Sequence, residues 1–412
     1  MANPTFAAID IGTTKVATIV AEVAAGEIRI LGTGVTPSAG LTKGMVDNIH
    51  AATETIASSV ERAAMASGTT IMSAQVGIGG PHISSMNSRG IVAIADPRHP
   101  ITQGDVQRAL ESARIVNVPN NREVIHVVPR YFVVDGQADV IDPVGMFGSR
   151  LDVETHVVTA SSSAVHNLLQ CIRNAGVDHD SLILQPLASA EAVIDREEMD
   201  QGVVLVDIGG GTTDIAVYLQ GAVVHTAVLP VGGQHFTRDL VIALRVPQMA
   251  AELAKRQYGN AIPSFVDEHE EVEIDAFGSA GKKTVQRRYI AEVLQARTEE
   301  LFEMVAAEVR RGIQQDVLSA GVVLTGGGSS LPGIEYLAEE VLSLPARIGR
   351  PHHLSGLSDM LHDPAYATAV GLLRGAVRER EIMLRSSPLL PSASLGGLMR
   401  KVAQLMRVIL PQ

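Results

Sequence analysis

Apolar and polar positions alternate most sharply around three glycine-rich turns. The stretch "VVLVDIGGGTTDIAVY", Val203 to Tyr218, predicts two short strands around a Gly-Gly-Gly-Thr-Thr turn, with Asp207 at its entrance. The run before that aspartate is so apolar that its strand should be covered on both faces. The stretch "AAIDIGTTKVATIV", Ala7 to Val20, repeats the plan around Asp10. A third stretch, "GVVLTGGGSSLPGIEYLAEEVL", Gly321 to Leu342, reads as a buried strand, a glycine turn and a helix, with Ser329 or Ser330 as its cap and Pro332 in its first turn. Between the hairpins, "IVAIAD" and "IHVVPRYFVVDG" alternate as strands. Val106, Ala109, Leu110 and Ala113 recur at helical spacing.

The pattern breaks after Arg385. "SSPLLPSAS" reads as a linker. On a helix, the following residues Leu395, Leu398, Met399, Val402, Leu405, Met406 and Ile409 share one face, and Arg400, Lys401, Gln404 and Arg407 the other. Such a segment spans roughly 24 Å, short of the roughly 30 Å hydrocarbon core, so it can lie in an interface but not cross one. Periodicity alone also fits a terminal helix docked on its own domain. The linker and the local charge favour a membrane surface: from Arg374 onward Arg374, Arg378, Arg380, Arg385, Arg400, Lys401 and Arg407 face only Glu379 and Glu381.

Composition narrows the setting. A length of 412 residues suggests two to four domains, and 46% hydrophobic residues suffice for several cores. Trp is absent and aromatics are 3%, so aliphatic side chains must fill them. A formal net charge of −12 disfavours nucleic acid as a partner. The single cysteine, Cys171, permits no intrachain disulfide and fits a reducing cytoplasm. "MANPTF" does not open a signal peptide, and no run of 18 apolar residues predicts a transmembrane helix.

The hairpins suggest chemistry. Glycines in a tight turn point backbone N–H groups into the gap, where they bind phosphate oxygens. Gly12, Gly209, Gly210 and Gly211 supply such turns, Thr13, Thr14, Thr212 and Thr213 add hydroxyls, and Lys15 adds a cation. Asp10 and Asp207 would repel phosphate unless Mg²⁺, keeping its waters, stood between them. One such hairpin is ordinary. Two copies suggest duplicated halves gripping one polyphosphate across a cleft. At the third turn, Gly326, Gly327 and Gly328 would let a base or ribose approach.

Together the three motifs resemble those of the actin-like ATPase superfamily, which holds actin, DnaK-type chaperones and sugar kinases. The resemblance implies an α/β actin-like ATPase fold, two related α/β halves around a nucleotide cleft, each with a small subdomain, and Mg-ATP as cofactor. "LILQPLASAEAV" is similar to the interdomain helix, where Gln185 replaces the chaperones' glutamate as the water-positioning residue, with Glu191 as the fallback. "AELAKRQYG" resembles a chaperone helix, implying Glu252 and Lys255 at the ribose and Arg256 near the base.

Four more stretches, "VGIGGPHI", "LPVGGQHFTRDL", "PARIGRP" and "DPAYATAVGLL", narrow the resemblance to the FtsA family of bacterial cell-division proteins. It implies a first large subdomain in 1–83 and 163–200, a small inserted subdomain in 84–162, a second large subdomain in 201–228 and 313–385, a second small one in 229–312, a linker in 386–394 and a membrane-targeting helix in 395–412. It further implies slow ATPase activity at most and self-assembly into filaments. The second small subdomain would receive the C-terminal peptide of the tubulin-like protein FtsZ. The protein would contact anionic lipid and other division proteins peripherally, on the cytoplasmic face of the inner membrane at the division site.

Two other readings compete. A small-molecule kinase of this fold needs a carboxylate base over a substrate pocket, and no residue stands out as one. A chaperone needs a β-domain after Arg385. His352, His353, His362 and Asp363 fit no common zinc spacing and read as a surface loop. Ser161 to Ser163 lacks a nucleophile elbow and reads as a turn before a helix.

Overall fold

A computed structural model describes residues 4–24, 27–115, 118–278, 281–313 and 317–386. The linker from 387 onward and the amphipathic helix lie outside the described residues.

Two sheets share one plan. In the first, the strands run in the order Asp178–Leu184, Ser73–Ile78, Thr5–Ile11, Lys15–Ala24, Glu27–Pro37, Leu354–Gly356. In the second, the order is Ala346–Ile348, Gly321–Thr325, Val203–Ile208, Thr213–Leu219, Ala222–Leu229. Each aspartate-bearing strand pairs antiparallel with the strand after its turn and parallel with a strand on its other side. Val203–Ile208 is buried at every position, as the apolar run before Asp207 requires.

Two helices, Gln185–Val193 and Ala367–Ser386, lie between the sheets. One apolar cluster joins Ala8, Ala17 and Ile19 of the first half, Leu205, Ala216 and Val323 of the second, and Ala188, Val370 and Leu373 of the helices. The helices cross with Gly371 against the backbone of Ala188, where a side chain on Gly371 would collide. The strand Leu354–Gly356 departs from the sequence grouping of 313–385 with the second half: it pairs with Glu27–Pro37 of the first sheet. Local pattern cannot show that, because the partner strand lies far back in the chain.

The insert forms its own sheet, in the order Ile83–Ala93, Arg150–Ser161, Arg122–Val134, Gln137–Val140. Helix Gln103–Arg114 covers it through Val106, Ala109, Leu110 and Ala113 and starts at a Thr102–Asp105 capping box. The insert meets the second half through a polar seam, in which His156 bonds Asn87 at 2.8 Å and Thr226 at 2.9 Å. Within 267–288, acidic and basic residues pair with each other in a two-stranded hairpin and the helix after it, Lys282 with Glu273 at 2.9 Å and Arg287 with Glu270 at 2.9 Å.

The third glycine turn corrects one expectation. Ser329 and Ser330 lie in a short 3₁₀ turn, Gly327–Ser330, and Ser329 donates to the Gly326 carbonyl at 2.7 Å. Helix Ile334–Leu342 begins instead after Gly333, whose φ of 80° suits glycine. Pro332 precedes the helix because that left-handed residue intervenes.

Candidate functional site

Both hairpin turns close identically. Gly12 N–H donates to the Lys15 carbonyl at 3.0 Å, and Gly209 N–H to the Thr212 carbonyl at 2.9 Å. The turns then meet: a Cβ on Gly211 would lie 2.8 Å from Thr13 Oγ1, and one on Gly210 would overlap the Thr14 side chain. Glycine is therefore what lets the two halves approach here. The second turn is anchored from behind, since Gly233 N–H and Gln234 N–H donate to the Gly209 and Gly210 carbonyls at 2.9 and 2.8 Å.

The helix between the sheets serves both aspartates. Gln185 Nε2 donates to Asp10 at 3.1 Å, and Ser189 Oγ donates to Asp207 at 2.5 Å. These residues are four apart and so share one helical face. Thr368 Oγ1 adds a bond to Asp207 at 3.2 Å. Burial raises Asp10 to about 6, with Lys15 opposing the shift and Asp207 adding to it. Burial also raises Asp207, against the bonds from Ser189 and Thr368. Asp214 stands directly opposite Asp207 in the hairpin, and burial together with the Asp207 charge pushes it to about 8. Its Oδ2 accepts from Thr212, while its buried Oδ1 has no partner among the described residues.

Among the described residues the charge that opposes both Asp10 and Asp207 is that of Lys15, and burial lowers its own pKa. This deficit of positive charge fits Mg²⁺ held mainly through water by Asp10 and Asp207. Among the described residues no three acidic, histidine or cysteine side chains group closely enough to ligate a metal themselves.

Other expected site residues divide. Thr213 turns inward and donates to the Val231 carbonyl, and Thr212 is committed to Asp214. Thr13 accepts from Gly44 N–H at 3.2 Å, and Thr14 is exposed. Gly326 packs against Asp207 and Gly328 against Ile208, while Gly327 is exposed. Lys255 Nζ bonds Glu252 at 2.7 Å and the Gly233 carbonyl at 3.0 Å, beside the second turn. Burial raises the Glu252 pKa, but bonds from Lys255 and Thr237 outweigh it and hold the carboxylate below its usual range. Arg256 is exposed on the same helix.

Glu191 is not brought to the turns. Its carboxylate holds Arg378 at 2.7 Å, and its charge acts on Tyr218, which pairs with Val203 at the hairpin's far end. Six residues along a helix from Gln185, it must point to another face. A cavity of about 270 Å³ lined by Arg130, Tyr131, Asp200 and Gln220 opens between the insert and the second half, away from these turns.

Sequence reasoning overlooked Asp214, Ser189, Thr368 and Tyr366. Asp214 closes the second motif and Ser189 lies one helical turn beyond Gln185, so both carried a signal. Thr368 and Tyr366 lie in "DPAYATAVGLL", which carried the family resemblance but no sign of a contact with the hairpins; only the fold brings them there.

Comparison with known proteins agrees with this architecture. Residues 204–371 match the family model of cell division protein FtsA. Residues 80–159 match that of the SHS2 domain inserted in FtsA. Cell division protein FtsA of Pseudomonas aeruginosa is 42% identical over 366 residues, covering 89% of this chain and 87% of that protein. Its counterpart in Escherichia coli K12 is 36% identical over 374 residues, 89% and 88% of the two chains. Among solved structures, the PilM-PilN type IV pilus biogenesis complex superposes with a TM-score of 0.65 at 20% identity, covering 90% of this chain and 98% of the other. MreB5 of Spiroplasma citri bound to ADP does so at 0.56 and 15% identity, over 93% and 99%. The fold is that of the actin-like ATPases, and the chain, at such identity over most of its length, belongs to the FtsA family of cell division proteins.

Proposed function

We propose that this protein binds ATP between its two glycine hairpins and, so loaded, assembles into membrane-bound filaments that hold the division ring. The observation that carries the nucleotide reading is the meeting of the two turns, Gly210 and Gly211 against Thr14 and Thr13, over buried Asp10 and Asp207. Backbone N–H groups of both turns and Lys15 would bind phosphates. Magnesium on water-bridged Asp10 and Asp207 would supply the charge that lets phosphates and carboxylates share this volume. Glu252, Lys255 and Arg256 would line the ribose and base end, together with the exposed Gly327. Hydrolysis would be slow: Gln185, bonded to Asp10, can orient a water but is a poor proton acceptor.

The remaining function rests on family membership and on the sequence of the tail. The helix of 395–412 would lie in the anionic cytoplasmic leaflet, each cation adding about 1 kcal/mol. One helix binds weakly, and neighbours in a filament raise each other's effective concentration. The small subdomain of 229–312 would receive the FtsZ C-terminal peptide, and the assembly would recruit other division proteins. Among the described residues no helix is long and apolar enough to cross a membrane.

Titration with a fluorescent ATP analogue tests the nucleotide site: binding that needs Mg²⁺ supports it, and no binding removes it. Liposome sedimentation tests the tail. Met399→Glu with Met406→Glu should release the protein from anionic vesicles while leaving ATP-analogue binding intact, and ATP should strengthen wild-type sedimentation. A double mutant that sediments like wild type would rule out the anchor.

A further inference from the structure

We propose that Tyr366 is a positioning residue of the nucleotide site, its ring holding Lys15 in place for the phosphates. The inference rests on the ATP reading above. Lys15 Nζ sits 3.4 Å from the centroid of the Tyr366 ring. Lys15 opens the strand after the first turn, whereas Tyr366 lies just before the helix Ala367–Ser386, so the contact is made only in the folded chain.

The segment around Tyr366 reaches all three glycine motifs. The Pro364 carbonyl accepts from Gly326 N–H at 3.2 Å and from Thr325 Oγ1 at 3.3 Å, tying it to the third turn. Thr368 bonds Asp207 at the second hairpin. Tyr366 completes the set at the first. Asp363 stiffens the segment by accepting from Ala365 N–H at 2.8 Å, and its charge favours the Lys15 ammonium.

The physical advantage is specific to an aromatic face. A lysine side chain has many rotamers, and fixing one of them costs conformational entropy. A carboxylate partner would fix it too, but would occupy its donors and compete with phosphate. A ring face attracts the ammonium through its quadrupole and uses no N–H donor. Among the described residues the Lys15 ammonium makes no hydrogen bond, so its donors remain available. The ring also covers the cation on one side, which strengthens its attraction for an anion on the other.

The test is a set of affinities for a fluorescent Mg-ATP analogue in the full chain. Tyr366→Leu should bind roughly 5-fold more weakly, and Tyr366→Phe, which keeps the ring, should restore wild-type affinity. In a Lys15→Ala background, Tyr366→Leu should cause no further loss, because its effect runs through the lysine. Amine labelling of Lys15 without nucleotide, read by mass spectrometry, should be faster in Tyr366→Leu. The proposal is overturned if Tyr366→Leu binds as wild type or more tightly, if its loss persists in the Lys15→Ala background, or if Lys15 labelling is unchanged. Absence of binding by wild type would instead remove the ATP reading itself, so the two failures are distinguishable.

Discussion

The two hairpins share a backbone and differ in electrostatics. Gly12 and Gly209 close their turns with the same bond, and Asp10 and Asp207 open them at the same place. The first hairpin then carries Lys15 where the second carries Thr212, and Ala17 opposite Asp10 where the second carries the buried Asp214 opposite Asp207. The first aspartate is held by an amide, Gln185, and the second by two hydroxyls, Ser189 and Thr368. The contrast shows that a duplicated scaffold keeps its geometry while charge divides the work. One hairpin carries a cation, Lys15, and the other a facing pair of buried acids, Asp207 and Asp214.

The sharpest way to break this comparison is to remove an acid. Asp207→Ala should weaken binding of an ATP analogue by about 100-fold, the scale of ~3 kcal/mol for charged contacts. Asp10→Ala should cost less, because it also removes a partner that competes for Lys15. Equal affinities in a fluorescence titration would show that the hairpins are not specialised.

A smaller effect separates the two kinds of glycine. Gly210→Ala places a methyl in the Thr14 side chain and should lower affinity roughly 10-fold by forcing the halves apart. Gly209→Ala meets only its own turn, 3.1 Å from the Thr212 carbonyl, and should change it less. If Gly209→Ala proves the worse of the two in the same titration, the facing turns are not the point of grip.

Asp214 supplies a pH test. Its native carboxyl stays protonated up to about 8, whereas the unfolded group ionises near its ordinary 3.8. Between those values the native state binds the extra proton, so wild-type stability falls as pH rises through the window. Asp214→Asn does not titrate. Its melting temperature without nucleotide should rise relative to wild type by several degrees between about pH 5 and pH 8. A difference independent of pH would mean that Asp214 is already ionised in the fold.

The smallest effect is expected from Glu191. Glu191→Gln disturbs an ion pair with a half-exposed Arg378 and should leave ATP hydrolysis within about 2-fold of wild type. Gln185→Ala should slow it by about 10-fold or more. A phosphate-release assay giving the opposite order would restore Glu191 to the chemistry.

The sequence by itself determined the strands and their turns. Val203–Ile208 had to be a doubly covered strand because it has no polar residue before Asp207, and glycines after an aspartate left little but a tight turn. The spacing of Val106, Ala109, Leu110 and Ala113 likewise set the buried face of the insert's helix. These features are local, and local sterics and periodicity suffice for them. Tertiary structure alone decided that Leu354–Gly356 joins the first sheet, that Ser189 and Thr368 converge on Asp207, and that Glu191 faces Arg378 while Gln185 faces Asp10. It also set Tyr366 on Lys15 and turned Thr213 away from the cleft. Each of these depends on which element lies next to which, and that is decided by packing two halves and two crossing helices around one core, which no short stretch of sequence encodes.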